Sequence, residues 1–211
     1  FSYMRDFIKG KMSEVLENME AEGKRSLPWS LQAILTSLRQ DRWLPERNKI
    51  RLLLEPVLAR EGITLACISI NYPEQLFFAL SIARELKEKW GESIFIVAGG
   101  AQVTKHIDHL AKSEDAYRLI DFFVVSDGEE PLFRLLSELP GKNLSAIPNL
   151  YYKDPAKPGT YTSSESRFCL YPGDFPVPDF SGFDMDVYDD TLPLIVSKGC
   201  PWGQCAFCSF S

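Results

Sequence analysis

Three cysteines near the C-terminal end of this 211-residue chain have the type and spacing of metal ligands: Cys200, Cys205 and Cys208. Cysteine thiolates hold iron–sulfur clusters, and three of them can bind three irons of a four-iron cluster while the fourth iron stays open. Gly199 and Gly203 lie between and beside these cysteines and favour a tight loop. The segment therefore predicts a 4Fe-4S cluster with one free coordination position.

Two other sites share part of this pattern. The C-x4-C-x2-C spacing also opens the plant-type ferredoxin signature, which needs a distant fourth cysteine, and none follows Cys208. A structural zinc site also takes four ligands. Cys169 could supply the fourth, although no second C-x2-C pair or paired histidines support it. Zinc therefore stays open as the alternative, and we interpret Cys67 and Cys169 as core or loop residues.

Cysteine usage and composition indicate the compartment. An odd number of cysteines, five, with three of them close together, does not suit a disulfide framework. Metal ligation in a reducing cytoplasm is the simpler interpretation. Hydrophobic residues make up 45% of the chain and charged residues 25%, which is ordinary for a globular protein. No apolar run reaches about 18 residues and no leader is evident, so we expect no membrane partner.

The net charge of −6 bears on the class of partner. Proteins that bind double-stranded nucleic acid need clustered lysine and arginine to neutralise phosphates. This acidic chain has no basic stripe, so the sequence argues against double-stranded nucleic acid as a partner. Small-molecule cofactors are the expected ligands.

Hydrophobic periodicity divides the chain into a helical part, residues 1–60, and an alternating strand–helix part that begins near Gly62. Buried strands are predicted at 63–69, 94–98 and 122–126, with an edge strand at 149–152. Helices are predicted at 76–90, 103–112 and 131–139. This alternation indicates a parallel sheet. A doubly wound sheet usually has about five strands, so we expect further strands upstream of Phe1.

The loops that follow the predicted strands contain the candidate ligand contacts. Ligands of open α/β sheets bind beyond the carboxyl ends of the strands. Small and polar residues occupy these ends, among them Ser69, Asn71, Gly99, Gly100 and Gly128. The Gly99-Gly100 pair lets backbone approach a ligand closely. Alone, a Gly-Gly turn after a strand is more often only a turn.

The residues around the cysteines resemble a known family. A strand followed by Lys-Gly-Cys-Pro-Trp and then Cys-x-Phe-Cys resembles the cluster loop of radical S-adenosylmethionine (radical SAM) enzymes. That family usually has three residues between its first two cysteines, and this chain has four. The Gly-Gly turn and the segment Val124–Pro131 resemble the cobalamin-binding domain that precedes the barrel in some of these enzymes.

The resemblance implies a fold and a domain plan. The fold is α/β, a three-layer doubly wound, Rossmann-like parallel sheet of the cobalamin-binding type. Periodicity gives the helical segment at 1–60, and prolines and glycines mark a linker at 153–190. The resemblance implies that 61–152 is the α/β domain and that 191–211 is the start of a radical SAM barrel. Because most of that barrel is not in this chain, we expect the chain alone to be inactive as an enzyme.

The resemblance also implies cofactors. Cys200, Cys205 and Cys208 would hold the cluster, S-adenosylmethionine would bind its open iron, and Phe207 would lie near the adenine. A flavodoxin or ferredoxin would supply single electrons. The five loop residues named above would contact cobalamin, which makes a cobalamin-dependent methyltransferase one form of the hypothesis. The alternative is a cobalamin- or nucleotide-binding module whose cysteines are structural.

One cobalamin feature is absent from the sequence. No Asp-x-His-x-x-Gly motif, which supplies a histidine to cobalt in other cobalamin proteins, occurs in this chain. The two histidines, His106 and His109, lie three apart on a predicted surface helix, where a solvated pair is the simpler interpretation. If cobalamin binds, its cobalt is expected to have no histidine ligand from this chain.

Overall fold

The computed structural model describes residues 33–36, 44–139, 143–181, 202 and 204. The predicted cluster ligands and the predicted adenine contact therefore lie outside the described residues: Cys200, Cys205, Cys208 and Phe207. The same holds for most of the helical segment predicted at the N-terminal end.

The described part of the chain contains five α-helices longer than one turn with defined ends. They are α1 (Leu44–Leu58), α2 (Gln75–Trp90), α3 (Ala101–Leu110), α4 (Glu114–Leu119) and α5 (Glu129–Glu138). Five strands accompany them: β1 (Leu65–Ser69), β2 (Phe95–Gly99), β3 (Phe122–Val124), β4 (Leu150–Lys153) and β5 (Tyr161–Ser163). The alternation of strand and helix predicted from the sequence is confirmed, and the fold is α/β.

The five strands form one mixed sheet in the order β1-β2-β3-β4-β5. The first three strands are parallel, and Cys67 pairs with Val97 in their register. β4 and β5 are antiparallel to their neighbours. The strand predicted near 149–152 is therefore present, but it lies inside the described sheet and not at its edge. Asn149, with φ of +56°, lies at the reversal that turns the chain into β4.

Two apolar clusters cover the two faces of the sheet, which gives three layers. On one face, side chains from α2, α3 and α4 pack against strand residues that include Ile96, Ala98 and Phe123. On the other face, Leu135 of α5 and Ile147 pack against Val97 and its neighbours. Alternate residues of each strand therefore face opposite layers, as the pleat of a strand requires.

The β4–β5 hairpin extends the sheet beyond residue 152, where the sequence predicts the end of the α/β domain. Tyr161 pairs with Lys153, and its hydroxyl donates a hydrogen bond of 2.7 Å to the carbonyl of Ile120. Burial, with the negative charge of Asp121 as a lesser cause, raises the pKa of Tyr161 well above its ordinary value. The chain divides into two compact units, Phe1–Arg167 and Phe168–Ser211.

A buried carboxylate joins three elements at the amino ends of the parallel strands. Asp121 is only 6% exposed, and it accepts hydrogen bonds from the Lys153 ammonium (2.7 Å) and the Ile96 backbone N–H (2.8 Å). The Lys87 ammonium, from α2, lies 2.8 Å from Asp121 Oδ2, the oxygen that also accepts from Ile96. Because burying an unpaired charge is expensive, this carboxylate is stable only with its partners in place.

A second buried carboxylate attaches α1 to the α/β unit. Glu85 of α2 is 3% exposed and forms ion pairs with Arg47 and with Arg51, the latter at 2.9 Å. Both arginines belong to α1. The charged pairs therefore hold α1 against α2.

The substitution Asp121→Asn tests the first of these networks. It keeps the side-chain shape but leaves Lys87 and Lys153 without their shared counterion. We expect the free energy of unfolding to fall by about 3 kcal/mol. Chemical denaturation followed by circular dichroism measures this change. Asp108→Asn, on the exposed side of α3, is the matched control and should change stability by less than about 0.5 kcal/mol. Equal effects of the two variants would contradict the role of Asp121.

Candidate functional site

A cavity of about 400 Å³ opens at the carboxyl ends of the three parallel strands. Its rim comes from the loops after β1, β2 and β3, and its apolar floor from the strands and from α5. We call it the carboxyl-edge pocket. Its lining residues are Cys67, Ile68, Ser69, Val97, Gly99, Gly100, Val124, Ser126, Gly128, Glu129 and Leu132. The volume is at the low end of the range for small-molecule sites.

Four of the five loop residues selected from the sequence line this pocket together. Ser69 and Gly99 are the last residues of β1 and β2, Gly100 begins the second loop, and Gly128 belongs to the third. Asn71, the fifth, is not among the lining residues. The structure thus brings the predicted loops to one place and assigns Asn71 a different position.

The first two loops approach each other so closely that Gly100 has no room for a side chain. Its φ is +99°, and a Cβ atom there would lie 2.7 Å from the carbonyl oxygen of Ile70. The backbone N–H of Ile70 donates to Gly99 (2.8 Å), and its carbonyl accepts from the N–H of Gln102 (2.9 Å). Glycine at this position permits the two loops to interlock.

The side chain of Asn71 caps helix α3. Its Oδ1 accepts a hydrogen bond of 3.2 Å from the backbone N–H of Ala101, the first residue of α3. Its Nδ2 donates to the Ser69 hydroxyl at 3.2 Å, and its backbone carbonyl accepts from Gln102 Nε2 at 3.3 Å. These contacts use the amide to join the first loop to the second. In this structure Asn71 therefore supports the pocket and does not line it.

The third loop has an unusual backbone conformation at Ser126, whose φ is +58°. Residues with a Cβ atom seldom adopt this left-handed conformation, and it often marks functional loops. The N–H of Ser126 donates a 2.8 Å hydrogen bond to Thr104 Oγ1. Asn149, which is fully buried, donates from Nδ2 to the carbonyl of Asp127 at 3.1 Å. Side chains from two other elements thus support this loop.

Cys67 lies on the floor of the pocket, in the middle of β1. The sequence suggested a small apolar core or loop residue, because the strand is apolar throughout. The structure instead leaves this side chain exposed on the α5 side of the sheet. Partial burial of the thiol still raises its pKa above the ordinary value. The thiol is therefore neutral near pH 7 and is a weak nucleophile there.

The charge of the pocket favours a ligand without strongly anionic groups. Glu129 is among the lining residues, and none of the eleven lining residues is a lysine or an arginine. Two of the N-terminal N–H groups of α3, those of Ala101 and Gln102, already bond to Asn71 and Ile70 and are not available to a phosphate. Glu129 and Glu130 occupy the first turn of α5. Hydroxyls and backbone groups around an apolar floor instead suit neutral, hydrogen-bonding ligands.

The described residues contain no cluster of three histidine, cysteine or acidic side chains that could hold a metal ion. Both histidines lie on α3, as predicted. Desolvation lowers the pKa of His106, with the nearby Lys105 and His109 as lesser causes. The predicted cluster ligands Cys200, Cys205 and Cys208 lie outside the described residues.

Sequence reasoning missed polar residues of the site, among them Ser126 and Glu129, which line the pocket, and Thr104, which supports it. Ser126 and Glu129 flank Gly128 in the motif that the sequence singled out, so the motif was the available signal. Thr104 gives no such signal, because its importance comes from a contact 22 residues away in the chain. Cys67 and Val97 also gave no local signal, because their shared face follows from the register between β1 and β2.

Comparison of this chain with known proteins identifies no related protein. No protein-family model, no curated protein and no solved structure matches this chain significantly. Among the described residues, no helix has the length and apolar character needed to cross a membrane.

The substitution Gly100→Ala tests the interlocked loops. We expect it to lower the free energy of unfolding by about 3 kcal/mol, because it adds both backbone strain and a backbone clash. Gly159→Ala is the matched control: its φ is +89°, but a Cβ atom there meets nothing within 4 Å. Strain alone should cost the control about 1 kcal/mol. Denaturation of both variants measures the difference, and equal losses would show that the close approach to Ile70 is unimportant.

Proposed function

We propose that this chain is the cofactor-binding N-terminal part of a radical SAM enzyme. The observation that carries the proposal is the spacing Cys200–Cys205–Cys208 with Phe207 before the last cysteine. The three thiolates would hold a 4Fe-4S cluster. The chemistry that cluster and S-adenosylmethionine supply together is one-electron cleavage of the sulfonium carbon–sulfur bond, which gives methionine and a deoxyadenosyl radical. A flavodoxin or ferredoxin would supply the electron.

We further propose that the α/β domain binds cobalamin at the carboxyl-edge pocket. Cobalamin carries neutral amide side chains around an apolar ring and a tail with a benzimidazole base. A pocket of about 400 Å³ suits the tail and is too small for the whole corrin ring. The hydroxyls of Ser69 and Ser126 and the nearby backbone supply donors and acceptors for amides, while Val97 and Val124 supply apolar contact. The donor set therefore fits the amides and the base of the proposed ligand, but the phosphodiester of the tail meets no lysine or arginine among the lining residues.

The finer fold assignment, a doubly wound sheet of the cobalamin-binding type, belongs to this proposal. The described strands follow one another in chain order, so they contain no point where the strand order reverses. A doubly wound sheet places its ligand at such a point. The proposal therefore requires at least one further strand beside β1, on the side away from β2. In the described sheet β1 is paired with β2 alone.

Anaerobic reconstitution with iron and sulfide tests the cluster. We expect one 4Fe-4S cluster per chain and a change in its electron paramagnetic resonance spectrum, after reduction, when S-adenosylmethionine is added. The variants Cys200→Ala, Cys205→Ala and Cys208→Ala should each fail to hold the cluster. Cys169→Ala is the matched control and should retain it, because only three thiolates are needed.

The alternative, a zinc site with structural cysteines, gives a different result in the same experiment. Elemental analysis would then find zinc, iron would not be taken up, and the Cys169→Ala variant would lose metal along with the others. That outcome would reject radical chemistry and leave a cobalamin- or nucleotide-binding module. S-adenosylmethionine cleavage by this chain at ordinary enzyme rates would contradict our expectation that the chain alone is inactive.

Ligand protection of Cys67 tests the cobalamin site. We expect cyanocobalamin to bind, as measured by absorbance titration, and to slow alkylation of Cys67 by iodoacetamide. At free ligand of ten times the Kd, labelling should fall about tenfold. Since alkylation needs the thiolate and burial raises the thiol pKa, labelling without ligand should increase with pH above neutrality. Mass spectrometry of peptides measures both effects.

Cys169 supplies the internal control for this measurement, since it is exposed and does not line the pocket. Its labelling should be unaffected by the ligand. Binding without protection of Cys67 would place cobalamin elsewhere, and absence of binding would remove the methyltransferase form of the hypothesis.

A further inference from the structure

We infer that Thr104 is a positioning residue that sets the shape of the carboxyl-edge pocket through its hydroxyl group. The inference deepens the proposed function, because it assigns ligand affinity to a residue that does not itself line the pocket. Thr104 lies on α3 and would act through the two pocket loops that it joins, those containing Gly100 and Ser126.

One oxygen atom connects these loops. Thr104 Oγ1 accepts a 2.8 Å hydrogen bond from the backbone N–H of Ser126. The same hydroxyl donates to the backbone carbonyl of Gly100 at 3.2 Å. A backbone donor of the third loop and a backbone acceptor of the second loop are thereby linked through a single side-chain atom. The two bonds are compatible, because a hydroxyl donates one proton and accepts through its lone pairs.

Both ends of this link are places where the backbone has little freedom. Gly100 has a φ of +99° and lies against Ile70. Ser126 has a φ of +58°, which is unfavourable for a residue with a Cβ atom and needs support from its surroundings. The bond from its N–H to Thr104 is such support. Without the hydroxyl, Ser126 gains by relaxing to an ordinary conformation.

The rest of the third loop is held from the opposite side, by Asn149. The Val125 N–H donates to the Asn149 carbonyl at 3.0 Å, and Asn149 Nδ2 donates to the Asp127 carbonyl at 3.1 Å. These bonds attach the loop to the start of β4. The Thr104 bond attaches it to α3 and to the second loop. Thr104 therefore controls how far apart the Gly100 and Ser126 sides of the pocket lie.

The substitution Thr104→Val removes the hydroxyl and keeps the β-branched shape. We expect it to weaken cyanocobalamin binding about tenfold and to accelerate hydrogen exchange at the Ser126 amide about tenfold. Thr104→Ser keeps the hydroxyl and should restore both values to within about twofold of the original chain. Absorbance titration and nuclear magnetic resonance measure the two quantities on the full 211-residue chain.

Thr160→Val is the matched control, since Thr160 Oγ1 donates to Lys157 in a turn remote from the pocket residues. It should leave both values unchanged. Unchanged exchange at Ser126 in Thr104→Val would overturn the inference, and so would faster exchange with unchanged affinity. If the original chain binds no cobalamin, the cobalamin proposal fails. The exchange result alone then supports Thr104 as the residue that fixes the loop, or rejects it.

Discussion

The close contact between Ile70 and Gly100 is the constraint on which the carboxyl edge depends. Because Gly100 has no Cβ atom, the loop after β1 can lie directly over the start of α3. Asn71 is thereby placed to cap Ala101, and α3 begins at a fixed point. That start in turn sets the position of Thr104, which reaches the third loop at Ser126. One missing side chain thus determines the relation of all three loops.

The two ends of the parallel strands are stabilised by different forces. At the amino ends, Asp121 is buried between two lysines, and full charges hold β3 to α2 and β4. At the carboxyl ends, the contacts that involve Asn71, Thr104 and Asn149 are neutral hydrogen bonds. These neutral bonds add no fixed charge beside the pocket to that of Glu129. The difference in stabilisation is therefore also a difference in which ligands each end can accept.

The parts of the fold that sequence predicted are those that local patterns determine. The apolar strands and the amphipathic helix α2 follow from periodicity within one segment, and their positions were right to within a few residues. The interior position of β4 and the exposure of Cys67 depend on which strand lies beside which. Strand neighbours and the burial of each face are settled by distant parts of the chain, and period-two patterns carry no information about them.

The same distinction explains the outcome at the candidate site. An asparagine after a strand can bind a ligand or cap a helix, and the two roles have the same local sequence. Asn71 takes the helix-capping role because its side chain accepts a hydrogen bond from Ala101, 30 residues further along the chain. The cysteines differ in this respect, because three ligands within nine residues define a site by spacing alone. The cluster and cobalamin proposals therefore rest on separate residues, and the failure of either leaves the other intact.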